Sequence, residues 1–264
     1  MLEQDPQRAL TLVDSHVHLD RYTDDDARRM ILEAEQAGVG TLLTVGTDLE
    51  SSRAALRLAH EYPSVLVAIG IHPTRVHEVD AHPAPLSLLG DLLQDSRVSA
   101  IGEIGLDAGA PDMAAQQRFL AACVALAAER DLPLVLHVVG EPAVHEAALA
   151  LLATAPAVRA VAHYFVGGPA LAATYLEAGC WISVGRPVTR AAETAVRAAV
   201  QTIPLSRLLL ETDTYPLPGR TTEPRDLTTV CAAVAALTGQ TYETVAQATT
   251  ANFAAWLGRS PRQP

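Results

Sequence analysis

Short apolar, strand-like runs alternate with Ala-rich helical runs about eight times along this chain, and no other feature restricts the fold as strongly. The strand candidates are 12–16, 40–45, 66–71, 99–103, 134–138, 159–163, 181–184 and 207–211. Between and after them, apolar residues recur at three- and four-residue spacing, the period of a helix with one buried face. The first helix opens on Asp24-Asp25-Asp26, where a helix dipole favours acid, and closes at Gly38. The others are expected near 50–61, 84–93, 112–130, 141–153, 169–178, 190–201, 224–237 and 242–257. Continuously apolar strands separated by helices form a parallel sheet covered by helices. Eight such units in 264 residues, with no G-x-G-x-x-G after the first strand, predict an α/β chain folded as one (β/α)8 TIM barrel spanning 1–264. An open doubly wound sheet is the alternative. In a barrel, reactive groups gather where the strands end, at their carboxyl rim.

Metal-ligand residue types stand at those ends. The first strand runs into Val13-Asp14-Ser15-His16-Val17-His18, and side chains two apart on a strand share a face. The third strand leads into His72-Pro73, the fourth ends at Glu103, the fifth at His137, the sixth at His163, and the eighth at Glu211-Thr212-Asp213. His16, His18, Glu103, His137, His163 and Asp213 exceed what one tetrahedral ion needs. The spacing therefore predicts two divalent ions with Glu103 between them, His16, His18 and Asp213 on one side and His137 and His163 on the other. Such a pair, about 3.5–4 Å apart, activates water and clamps the oxygens of a reacting centre. Asp213 is placed to take the proton from that water. Nitrogen and oxygen ligands without thiolate suit Zn, Mn, Ni, Fe or Mg. Arg186 and Arg220, in the loops after the seventh and eighth strands, are candidates for bidentate phosphate contacts.

Composition excludes several chemistries. All 19 basic residues are Arg, so neither a Schiff-base lysine nor a carboxylated lysine bridging two metals is available. A net charge of −11 opposes a broad duplex-binding surface and leaves single strands or chain ends as the nucleic-acid substrates to expect. No apolar run is long enough to span a bilayer. The polar opening residues do not resemble a signal peptide, and Cys123, Cys180 and Cys231 lack C-x-x-C spacing. A cytoplasmic protein with reduced thiols and no obligate protein partner is expected.

Read together, these segments resemble the TatD family of metal-dependent deoxyribonucleases in the amidohydrolase superfamily. The landmarks are D-S-H-V-H-L-D at 14–20, G-T-D-L-E-S-S-R at 46–53, G-I-H-P at 70–73 and I-G-E-I-G-L-D at 101–107. L-P-L-V-L-H at 132–137, A-H-Y-F at 162–165, L-L-L-E-T-D at 208–213 and T-T-A-N-F at 249–253 continue the series. The resemblance implies a distorted TIM barrel, two divalent metals on the same six residues, and a contact from His72 to the scissile phosphate. Some loops depart from the family pattern. Val138-Val139-Gly140-Glu141 stands where Arg-Asp-Ala is usual, Thr214-Tyr215-Pro216 follows the last ligand, and Ala108-Gly109-Ala110 replaces aromatic and basic residues. The expected activity is phosphodiester hydrolysis at DNA ends or single strands. The altered loops keep two rivals open: hydrolysis of a small amide, ester or lactone, and a non-catalytic barrel that holds metals for stability.

Overall fold

The computed structural model describes residues 11–79, 84–219 and 221–258. Its strands are β1 Leu12–Val17, β2 Val39–Val45, β3 Val65–Ile69, β4 Val98–Asp107, β5 Leu134–Val139, β6 Ala160–Ala162, β7 Trp181–Val184 and β8 Leu208–Leu210. They lie side by side in chain order, every neighbouring pair parallel. A parallel bridge between Val17 and Thr214 brings the residues after β8 back to β1. There His18 N donates to Thr214 O (2.9 Å) and Asp213 N donates to His16 O (2.9 Å). The seam of this distorted TIM barrel is therefore made by the segments that carry His16, His18 and Asp213.

Ten helices accompany the strands among the described residues: α1 Asp24–Gln36, α2 Leu49–Glu61, α3 Pro73–Val79, α4 Ala84–Leu92, α5 Met113–Arg130, α6 Pro142–Leu152, α7 Pro169–Glu177, α8 Thr194–Val200, α9 Leu227–Thr238 and α10 Tyr242–Trp256. Local chemistry starts them. Thr23 caps α1 by accepting from Asp26 N, and Ala27, Met30, Ile31 and Ala34 form its buried stripe. Asp48 and Ser51 form a reciprocal capping box on α2, while Pro142 and Pro169 stand in the first turns of α6 and α7. Alternation along the strands divides the apolar residues in two. Leu43, Val45, Ala68, Ala100, Val135, Val161 and Leu209 pack together with Phe253 and Trp256 of α10. Their neighbours Leu42, Val67, Ile101, Leu134, Ile182 and Leu208 join the larger layer beneath the helices.

The structure differs from the sequence expectation in three places. β4 continues to Asp107 instead of ending at Glu103, and its register against β5 shifts between Ile101 and Ile104. Gly105 permits this close pairing: its φ is +150°, and an added Cβ would lie 1.8 Å from His137 O. Helix α3 was not anticipated, because seven residues opening on Pro73 are too short to display a helical period. The helix expected from 190 begins at Thr194, since residues Arg186–Thr189 form a separate 3-10 turn with Pro187 near its start.

Candidate metal centre

Glu103 lies at the centre of the rim, almost fully buried. Its Oε2 faces His16 Nε2 (3.5 Å) and His18 Nε2 (3.6 Å). Its Oε1 faces His137 Nδ1 and His163 Nε2, each at 2.8 Å. Asp213 Oδ1 stands 3.5 Å from His18 Nε2, on the Oε2 side. The shift in β4 carries Glu103 inward, and β1, β5 and the ends of β6 and β8 supply the other five side chains. Each carboxylate oxygen thus addresses a different group of nitrogens.

Hydrogen bonds set the tautomers. His18 Nδ1 is 2.8 Å from Val45 O; a carbonyl only accepts, so Nδ1 carries the proton and Nε2 turns its lone pair to the centre. His72 is arranged the other way. Thr74 N donates to its Nδ1 at 3.2 Å, so Nε2 carries the proton, 3.5 Å from Glu103 Oε1. His72 lies within reach of Glu103 and His137 as a third member of a possible ligand group, but its tautomer makes it a donor to an anion rather than a ligand.

Charge is concentrated here. Burial works to protonate Glu103, but His163, His137 and His16 outweigh it and hold the carboxyl well below its usual range. Burial also opposes charge on His163, yet Glu103 and Glu211 raise it well above its usual value. On His18, burial is outweighed by Asp213 and Glu103, and the net direction is up. His16 moves down through burial and the neighbouring His163, whose ring it stacks against at 3.9 Å. Asp213 is pulled down by His18 and His16 despite its burial. Buried Nδ1 atoms of His16 and His163 and Oε2 of Glu211 have no hydrogen-bond partner. Facing imidazole nitrogens 3.1 Å apart on His16 and His18, with a shared carboxylate beside them, fit divalent cations.

Supporting residues fix the frame. Asp14, fully buried, accepts from Thr212 N (3.0 Å), Thr212 Oγ1 (2.6 Å) and His16 N (3.3 Å), tying β1 to the segment that holds Asp213. Burial pushes its carboxyl well up, although the Thr212 donors oppose that shift. Glu211 accepts from Tyr164 N at 2.5 Å and lies 3.6 Å from His163 Nδ1. Asp107, which the sequence reading did not single out, reaches within 3.5 Å of His137 Nε2. Its signal was the even spacing from Glu103 along one strand. Arg186 donates to Thr222 Oγ1 at 2.5 Å, and Arg220 lies outside the described residues.

Beside the His137–His163 side opens a pocket of about 380 Å³, walled by Leu136, Val138, Phe165, Val166, Leu171 and Tyr175. His145 lines this pocket and bonds Tyr175 Oη at 2.8 Å.

The profile of the TatD related DNase family matches residues 13–258. The chain belongs to the TatD family. A TatD protein of Dickeya dadantii, a 3'-5' ssDNA/RNA exonuclease, is 34% identical over 253 residues, covering 89% of this chain and 88% of that protein. A TatD metal-dependent hydrolase of Mycobacterium tuberculosis is 32% identical over 257 residues, covering 91% and 96%. The crystal structure of YjjV, a TatD homologue from Escherichia coli K12, superposes with a TM-score of 0.84 at 28% identity, covering 94% of this chain and 98% of that one. This TatD protein is accordingly a metal-dependent hydrolase acting on ester bonds.

Proposed function

We propose that the protein is a dinuclear hydrolase that cleaves the terminal phosphodiester of single-stranded nucleic acid. The observation that carries this reading is the Glu103 carboxylate, with one oxygen toward His16 and His18 and the other toward His137 and His163. His16, His18 and Asp213 would hold one divalent ion, His137 and His163 the other, and Glu103 both. Two such ions supply an activated water and offset the charge that builds on the leaving oxygen.

The side chains have their own tasks. Asp213, held ionised beside His18 and His16, takes the proton of the attacking water on its carboxylate. His72 donates Nε2–H to a non-bridging phosphate oxygen, consistent with the bond that occupies its Nδ1. Asp14 acts through Thr212, keeping the Asp213 backbone in register with β1. The apolar pocket over β5 and β6 would take the uncharged part of the terminal nucleoside and keep bulk water from that side.

The same pocket favours a second reading, a small ester or lactone whose apolar portion fills it. End-labelled single-stranded DNA, incubated with Mg, Mn or Zn and with Asp213→Asn protein in parallel, separates the two. Metal-dependent release of mononucleotides by the wild type alone supports the nuclease. No release under any metal, together with turnover of aryl esters or lactones, would transfer the activity to the second class.

A further inference from the structure

A second pocket of about 400 Å³ also reaches the centre, and its wall includes Arg21, Arg75, Thr47, Thr74, His18 and His72. Arg21 ends the short 3-10 turn after β1, and Arg75 belongs to α3. Neither the motifs nor the metal centre accounts for them. Both guanidinium groups lie 3.4 Å from one atom, Asp48 Oδ2, and Arg21 also donates to Thr47 Oγ1. Asp48 is itself fixed, because its Oδ1 accepts Ser51 N at 2.7 Å to cap α2. Asp48 thus holds both guanidinium groups together at the edge of this pocket. Asp20 reaches Arg21 Nε at 3.3 Å, but the described residues of the pocket wall include no carboxylate. The wall is contiguous with the centre through His18 and His72, which lie 3.6 and 3.5 Å from the Glu103 oxygens.

The apolar pocket has no arginine in its described wall. Of these two pockets, only the second offers arginines among its described residues to an extended substrate with its scissile ester at Glu103. Arginine forks and threonine hydroxyls together match the planar and tetrahedral acceptors of a phosphate group. In a protein of net charge −11, such a patch acts locally rather than as part of a basic surface.

We propose that Arg21 and Arg75 form a subsite for a second phosphate, the one adjoining the scissile phosphodiester, so that substrates with two or more phosphates bind in preference to those with one. This rests on the phosphodiesterase reading above, and the test separates the two. Isothermal titration on metal-loaded Asp213→Asn protein compares thymidylyl-thymidine with its 5'- and 3'-phosphorylated forms. One added phosphate is expected to tighten binding by about tenfold, as for a charge-assisted bidentate contact. Arg75→Gln or Arg21→Gln should shrink that increment to about twofold or less, while Arg225→Gln, a surface arginine paired with Glu33, should leave it in place. Arg75 is about half exposed (47%), so it carries the test if Arg21→Gln fails to fold. No increment in the parent protein, or one that survives Arg75→Gln, overturns the subsite. Cleavage of thymidylyl-thymidine by the wild type is read separately. An increment without cleavage leaves the subsite and removes the nuclease, whereas cleavage without an increment does the reverse.

Discussion

At the scale of single residues, two substitutions separate holding metal from moving a proton. Glu103→Gln removes the charge shared by both nitrogen groups and gives one carboxylate oxygen up to an amide that donates. On the proposed dinuclear reading, the parent protein should hold two ions per chain after dialysis by atomic emission, and Glu103→Gln one or fewer, with activity lost in proportion. Asp213 reaches His18 on the Oε2 side of Glu103, so Asp213→Asn should weaken the ion expected there more than the other. At saturating metal its kcat should still fall by roughly 10²–10⁴, the usual cost of losing a general base. Full activity in metal-saturated Asp213→Asn protein would reassign the proton to another group. The six side chains gathered at the centre were legible in the sequence as candidates because each lies in or just after the carboxyl half of a strand, and those ends meet in a barrel. The opposite tautomers of His18 and His72 were not legible, since they depend on Val45 O and Thr74 N, which only the fold brings near.

Among the elements, α10 is the one whose docking can be tested apart from the chemistry. Its Asn252, nearly buried, donates from Nδ2 to Leu205 O (2.6 Å) and Leu208 O (2.9 Å), while Phe253 and Trp256 pack with the residues of the inner strand face. Asn252→Ala leaves two carbonyls without that donor. The expected loss is about 2 kcal/mol, which for a chain of this size lowers Tm by roughly 4–8 °C. KM should not move, and a changed KM with unchanged Tm would contradict the docking role. Strand and helix order were readable from apolar periodicity because each strand is buried on both faces and most helices are covered on one. The extension of β4 and the short α3 escaped it for different reasons. β4 bends at Glu103, where its register slips, so a polar residue marks a continuation rather than an end. Residues of α3 are organised by Pro73 and by neighbouring elements, and Arg75 meets Asp48 of another loop, a pairing that no linear pattern displays.

For the whole molecule, metal, proton and stability are linked through the same cluster. In metal-free protein the ionised Glu103 contributes stability that is present above its unfolded value near 4.5 and is lost as pH falls through the depressed folded one. His163 has the opposite sign: raised in the fold, its contribution is complete below 6.5 and is lost as pH rises through the elevated value. His18 shifts in the same direction as His163, whereas His16, lowered by burial, detracts from stability as pH falls below 6.5. Metal requires these imidazoles unprotonated, so loading expels protons and strengthens with pH while the metal-free cluster loosens. Ligand present at about 100 times its Kd adds roughly 2.7 kcal/mol to the folded state. The Tm difference between metal-saturated and EDTA-stripped protein should therefore widen steadily from pH 6.5 to 8.5. Differential scanning calorimetry at fixed ionic strength measures it, with Asn252→Ala as a variant that lowers both melting temperatures without altering their pH-dependent separation. A difference that is flat or narrows with pH would mean that the ions bind without displacing protons from His163, and that the buried imidazolium–carboxylate pair does not exist in the metal-free state.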